Sequence, residues 1–372
     1  MKLAIVNSNL TVCGGIERVV LEIAKHFDAH IYCPYYDPEN TFDEYRNLHI
    51  TTLKPSNIPI RHKVLSTLET TNYFYNMKLE DYDLVNPHGP LSEFVRHRNS
   101  PVLWYCYSPH RLAFDLYEWH LKQQSLAYKI PFLVWIKFFK HLESQTVPKI
   151  EEILTISNVA QKRIKKYLNR DAEIIHIGVD SQKFSCRDYE QFFLYPSRLA
   201  PEKDFEYAIK AFKLFSSKNK GWKLVIAGFV ADIHKPYFEK VKSLCDDSFI
   251  IETNVSDERL YDLYSRCYAT VFSPIEEDFG IVPLEAMASS KPVIARNEGG
   301  PKETVSDGVD GFLVNSPQEM AQRMEWLAKN PDICEKMGKA GKKKVKKYFT
   351  WERFLKRFEE KAKETITKKS ES

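Results

Sequence analysis

The sequence predicts an α/β protein built from two doubly wound domains. Short apolar runs alternate with amphipathic helical runs along most of the chain, the pattern of parallel sheets covered by helices on both faces. The alternation pauses near residues 181–190 and begins afresh. The length, 372 residues, exceeds what a single core usually organises.

The first half opens on a strand, KLAIVNS (2–8), then a glycine turn and a helical run, IERVVLEIAKHF (16–27). In that run Ile16, Val19, Val20, Ile23, Ala24 and Phe27 recur at steps of three and four. AHIYCP (29–34) closes a β-α-β unit. DLVNPH (83–88), PVLWYCY (101–107) and EILTIS (152–157) read as further buried strands, and AEIIHIGVD (172–180) ends the half. The second half starts with the strand FFLYPSR (192–198) and the helix DFEYAIKAFKLFSSK (204–218). KLVIAG (223–228) and SFIIET (248–253) are strands around the helical KPYFEKVKSLC (235–245). YATVFSP (268–274), KPVIAR (291–296) and DGFLVN (310–315) continue the series. The expected domains are 1–183 and 184–348. TWERFLKRFEEKAKETITKK (350–369) is an amphipathic helix that, with no sheet left to complete, packs back on the first domain, so 349–372 forms a returning helix and basic tail.

Composition is that of an ordinary globular chain, 43% hydrophobic and 28% charged. The seven cysteines are scattered and contain no C-x-x-C, which excludes a sequence-readable zinc site or redox pair and suits a reducing compartment. Met1–Asn7 reads as a strand and not as a signal peptide. The longest apolar run, Ile130–Ile136, falls far short of the ~20 residues of a spanning helix. Residues 336–372 hold fourteen Lys/Arg against five Asp/Glu, so the rest of the chain is net acidic. A basic end of this kind is either a solvated helix face or a contact for an anionic surface. No RNA- or DNA-binding motif accompanies it, which sets nucleic acid aside.

Two carboxylates, Glu277 and Glu285, are separated by seven residues in PIEEDFGIVPLEAMA (274–288). Upstream, YPSRLAPEKD carries Arg198 and Lys203 just after a predicted strand end. Arg198 offers a planar fork to phosphate oxygens and Lys203 a mobile point charge. Cations gain nothing from the dipole at a helix N-terminus, which argues for a ligand there. Two cations for a polyanion and two acids for hydroxyls are what a nucleoside-diphosphate sugar requires. Gly14 and Gly15, between the first strand and its helix, allow backbone to approach a phosphate.

GGIERVV (14–20), NPHG (86–89), ISNVAQKRI (156–164), IGVD (177–180), SRLAPEKDFEYAIKAF (197–212), IAGF (226–229), EEDFGIVPLEAMASSKPVIA (276–295), GGPKETVSDGVDGFLV (299–314) and FTWER (349–353) together resemble the family 4 glycosyltransferases. The resemblance implies the GT-B fold, in which two Rossmann-like domains face each other across a cleft. It also implies a retaining, metal-independent enzyme with a nucleoside-diphosphate sugar as substrate and no cofactor. It assigns Glu285 to the donor ribose and Glu277 to the donor sugar ring, and places Phe279, Gly280, Ile281 and Val282 in a turn whose amides meet the diphosphate. Gly15 would close on the diphosphate or the acceptor, with Glu17 and Arg18 supporting that loop. Related enzymes often carry a histidine after the strand matching PVLWYCY, where this chain has Tyr107. Tyr107 could donate through its hydroxyl, His110 could substitute from the next turn, and His88 also ends a strand at the cleft. The tripeptide Asp81-Tyr82-Asp83 spells a metal-binding D-x-D, but a turn before a strand explains it.

VLWYCYSPHR (102–111) is similar to members that build surface polysaccharides and lipid-linked oligosaccharides, which makes GDP-mannose the first expected donor, UDP-sugars the next, and a glycan or lipid-linked molecule the acceptor. A nucleotide-sugar epimerase, a phosphorylase, or a non-catalytic sugar-nucleotide-binding subunit are the competing readings. Between Trp119 and Leu142 the chain is rich in aromatics and lysines, with Trp135, Phe138 and Phe139 flanked by Lys129, Lys137 and Lys140. That pattern suits a helix lying in a membrane interface, and equally a buried helix whose lysines reach outward. With the basic end it gives the expectation of a cytoplasmic protein attached peripherally to an anionic inner leaflet.

Overall fold

A computed structural model of the chain describes residues 1–52, 63–118, 121 and 126–370. The opening of the aromatic, lysine-rich segment, residues 119–120 and 122–125, lies outside them. The chain forms two compact units: Met1–Ile177 with Phe354–Ser372, and Gly178–Arg353. The change of unit therefore falls inside the run read as the last element of the first half, six residues before the expected boundary. Of AEIIHIGVD only Glu173–Ile174 is strand. At Gly178 a Cβ would lie 2.3 Å from the Trp351 nitrogen, and Val179 N–H donates to the Phe349 carbonyl at 2.9 Å. The second unit thus begins and ends side by side, with glycine required at the crossing.

Among the described residues the first unit holds seven parallel strands: β1 (Leu3–Asn7), β2 (His30–Cys33), β3 (Ile50–Thr52), β4 (Leu84–His88), β5 (Leu103–Cys106), β6 (Glu152–Thr155) and β7 (Glu173–Ile174). Their order is β3-β2-β1-β4-β5-β6-β7. β1, β4 and β5 are buried throughout, because a parallel sheet is covered on both faces and selects continuous apolar runs. Helices Gly15–Phe27, Lys63–Asn76, Leu126–Thr146 and Asn158–Leu168 accompany it. One core cluster includes Val6, Phe74, Val85, Phe94, Trp104, Trp135, Phe139 and Ile153. The winding reverses between β1 and β4, and the carboxyl ends of those two strands flank the switch point where ligands of such sheets bind.

The second unit has six described strands: β8 (Phe192–Pro196), β9 (Lys223–Gly228), β10 (Phe249–Thr253), β11 (Ala269–Phe272), β12 (Val293–Arg296) and β13 (Gly311–Val314). The order β10-β9-β8-β11-β12-β13 puts its switch point between β8 and β11. Ser256 and Ser316 begin helices by accepting the N–H three residues on, which satisfies a donor the helix itself cannot.

From Phe354 onward the helix Trp351–Ser370 belongs to the first unit. Phe354 meets the Tyr105 ring edge-on and Phe358 lies beside Phe27. The basic end divides accordingly. Lys361 and Arg357 pair with Glu173, Lys363 with Glu359 and Lys368 with Glu152. Much of the charge counted along residues 354–370 is thus engaged within the protein. Lys336–Lys347 lie on the helix Pro331–Tyr348 of the other unit.

The helix Leu126–Thr146 separates the two readings of the aromatic segment by face. Trp135, Ile136 and Phe139 are buried in the core, so Trp135 is not a surface residue. Phe138 is 45% exposed and shares the outer face with Ile130 (71%), Leu133 and Val134 (64%). Among the described residues no helix is long and apolar enough to cross a membrane.

Candidate active site

All but His110 of the site residues read from the sequence lie near the two switch points. In the second unit, β8 ends at Pro196 and the chain passes through Arg198 into a 3-10 turn, Pro201–Lys203. Tyr195, buried in β8, holds that turn by donating its hydroxyl proton to the Lys203 carbonyl. Ser273, just past β11, donates to the Asp204 carbonyl at 2.8 Å and so ties the two strand ends together. The result brings Lys203 Nζ to 2.6 Å from Glu277 Oε2, 74 residues apart in sequence and both mostly shielded. Arg198, more than half exposed, pairs with Glu202 at 2.8 Å.

The acidic loop is shaped by glycines. Gly280 caps the helix Ile281–Ala288 at φ +81°, a left-handed conformation that glycine adopts without penalty. Gly300 N–H donates to the Glu277 carbonyl at 2.7 Å. A Cβ on Gly299 would lie 2.4 Å from that carbonyl oxygen, and one on Gly300 2.3 Å from the Phe279 Cα. The pair Gly299–Gly300 therefore seats the loop carrying Glu277, a role its motif did not disclose. Phe279 itself is buried, so it contributes backbone and packing to the loop and not a surface. Ile281 and Val282 form the first turn of the helix and are half-buried. Glu285 is half-buried on the same helix, and its Oε2 accepts the hydroxyl proton of buried Tyr264 at 2.7 Å. That bond fixes the orientation of the carboxylate.

In the first unit, Gly14 and Gly15 follow β1 into the helix Gly15–Phe27. The two glycines differ. A Cβ on Gly14 would lie 2.3 Å from Glu17 Oε2, the movable end of a side chain, whereas a Cβ on Gly15 would meet open space. Glu17 is buried, its own backbone carbonyl accepts the Tyr45 hydroxyl at 2.5 Å, and burial pushes its carboxyl up to about 7.

β4 ends in fully buried His88, whose Nδ1 lies 2.9 Å from Tyr107 Oη and whose Nε2 lies 2.6 Å from Asn86 Oδ1. The structure thus joins His88 and Tyr107, and adds Asn86, which the sequence did not single out. Asn7, at the end of β1, is also buried there. His110 stands apart, edge-on to Trp135 and Phe139, where it packs the helix Leu126–Thr146. Asp83 accepts the Lys2 N–H at 2.7 Å at the start of β4, the opposite end of that strand from His88. Asp83 of the D-x-D tripeptide is thus engaged at the start of the sheet strand.

Comparison with known proteins identifies the family. Residues 13–183 match the family model described as Glycosyltransferase Family 4, and residues 178–344 match that described as Glycosyl transferases group 1. The alpha-1,3/1,6-mannosyltransferase ALG2 of Dictyostelium discoideum is 26% identical, with 95% of this chain and 96% of that protein covered. Among solved structures, Anabaena HepE in complex with UDP and glucose superposes with a TM-score of 0.72 at 16% identity, covering 97% of this chain and 99% of that one. Sucrose-phosphate synthase of Thermosynechococcus elongatus gives 0.79 at 18% identity, covering 99% and 100%. The two family models together span both parallel-sheet units, and the chain belongs to the family 4 glycosyltransferases of GT-B fold.

Proposed function

We propose that this glycosyltransferase moves a mannosyl group from GDP-mannose to a lipid-linked or growing surface glycan, with retention of configuration and without a metal ion. The observation that carries the donor assignment is the Lys203–Glu277 pair at the β8/β11 switch point. When the sugar–phosphate bond breaks, the diphosphate gains negative charge, and a fixed cation aimed at it is the largest catalytic term such a site can supply. Lys203 is that cation, with Arg198 turning from Glu202 to the outer phosphate. Glu277, released from Lys203, accepts hydroxyls of the transferred sugar, while Glu285, oriented by Tyr264, accepts those of the ribose.

The mannosyl reading draws on the mannosyltransferases among the relatives. Thermal-shift titration of GDP, UDP and ADP tests it: a ligand at 100 times its Kd stabilises by ~2.7 kcal/mol, and GDP is expected to give the largest shift. A larger shift with UDP replaces the base assignment. Transfer is expected to survive EDTA, and strict dependence on added magnesium or manganese refutes metal independence. The NMR coupling constant of the product's anomeric proton is expected to match the donor's configuration, and inversion refutes retention. Donor turnover with no acceptor present favours the epimerase or phosphorylase reading instead.

The outer face of the helix Leu126–Thr146 supports docking on an anionic membrane. Ile130, Leu133, Val134 and Phe138 form its apolar strip, and Lys137 and Lys140 are exposed beside it. Apolar burial with a lysine rim is the chemistry of an interfacial helix.

A further inference from the structure

The polar groups at the ends of β4 and β5 carry their protons in one direction. Asn86 Nδ2 lies 2.6 Å from the Leu103 carbonyl oxygen. A carbonyl only accepts, so the amide nitrogen faces it and the amide oxygen faces His88 Nε2. That oxygen likewise only accepts, so Nε2 carries a hydrogen. His88 is completely buried, and desolvation drives its pKa down to about 3, so the ring is neutral and Nδ1 is bare. Tyr107, whose phenol burial holds well above its ordinary pKa, therefore donates its proton to Nδ1. The expectation that Tyr107 donates to a ligand is reversed.

We infer that Asn86 and His88 are positioning residues that commit the Tyr107 proton inward, leaving the Tyr107 oxygen as a hydrogen-bond acceptor for a sugar hydroxyl. Asn86 and His88 are sealed from solvent, whereas Tyr107 is only partly buried as a residue. It follows β5, beside the β1/β4 switch point where ligands of this sheet bind. The ligand class follows from the lone pair. Ionised diphosphate oxygens are acceptors and cannot pair with an oxygen whose proton is already given away, so Tyr107 reads the hydroxyl-bearing part of a substrate. This rests on the glycosyltransferase reading and adds a residue to it.

Two measurements test it. Two-bond ¹⁵N–¹H correlation spectra of the full chain, with His88 identified by the signal lost in His88→Gln, are expected to show a hydrogen on Nε2 and a bare Nδ1. A hydrogen on Nδ1 overturns the inference. In the second, Tyr107→Phe is expected to lower kcat/KM for mannosyl transfer from GDP-mannose about tenfold, the cost of one hydrogen bond lost from a shielded site, with GDP affinity unchanged. With monodeoxymannose donors and monodeoxy acceptors, one analogue is expected to be turned over equally by both proteins, and its identity assigns the hydroxyl to donor or acceptor. A penalty that persists unchanged with every analogue overturns the inference while the transferase reading stands. A folded wild-type chain that transfers from no nucleotide sugar overturns both.

Discussion

At the scale of single residues, Lys203 and Gly15 make opposite demands on the fold. Lys203 is tied into its surroundings by Tyr195 and Glu277, yet its ammonium is expected to act on ligand. Hydrogen bonds to charged groups are worth ~1.5–3 kcal/mol, so Lys203→Ala should reduce transfer at least about tenfold with little change in melting temperature. Wild-type turnover in that variant removes Lys203 from the site. Gly15 has open space where a side chain would stand, so the fold does not explain it. Gly15→Ala is expected to leave the protein as stable or ~0.5–1 kcal/mol more stable, since alanine is the better helix residue, while transfer falls. An active, equally stable Gly15→Ala protein shows that no ligand approaches this turn. Arg198, Lys203, Glu277 and Glu285 were legible because charged residues stand out against apolar strand ends. The Lys203–Glu277 contact was not, since it depends on β8 and β11 being neighbours across 74 residues. The direction of the Asn86–His88–Tyr107 bonds was equally hidden, because it follows from which atoms the β4–β5 pairing sets face to face.

At the scale of elements, the alternating runs placed most strands, because strands buried on both faces need unbroken apolar sequence. β3 escaped notice, because Ile50–Thr52 is too short and too exposed to show that signature, and β7 is only the two residues Glu173–Ile174 of the longer run 172–180. The helix Leu126–Thr146 shows a further limit. Its aromatics could not be sorted into faces until the core fixed the helix's rotation, which put Trp135 inside and Phe138 outside. Their replacements should now behave differently. Trp135→Ser should destabilise by ~3–5 kcal/mol, as emptying a core site does. Val134→Ser with Phe138→Ser should leave the melting temperature nearly unchanged and abolish sedimentation with anionic vesicles. Retained vesicle binding in that double variant places any lipid contact elsewhere.

At the scale of the whole molecule, the two units bring their functional groups to equivalent positions, the switch points β1/β4 and β8/β11. They differ in buried charge. The first unit hides three carboxyls raised by burial: Glu17 to about 7, Glu93 to about 8 and Glu143 to about 9. From about pH 4.5 upward the native state binds more protons than the unfolded chain, so stability falls as pH rises through this range, by up to ~1.4 kcal/mol per pH unit for each group. Thermal unfolding of the first unit should therefore weaken from pH 5 to pH 9, and Glu93→Gln should flatten the decline. A flat profile in the wild-type protein contradicts this. The donor site is tested most directly by calorimetric titration of GDP, in EDTA, into the wild-type chain and Lys203→Ala. Binding without metal that weakens at least about tenfold on loss of the ammonium is the expected result. Equal affinity in the two proteins would contradict the assignment of the β8/β11 switch point to the diphosphate.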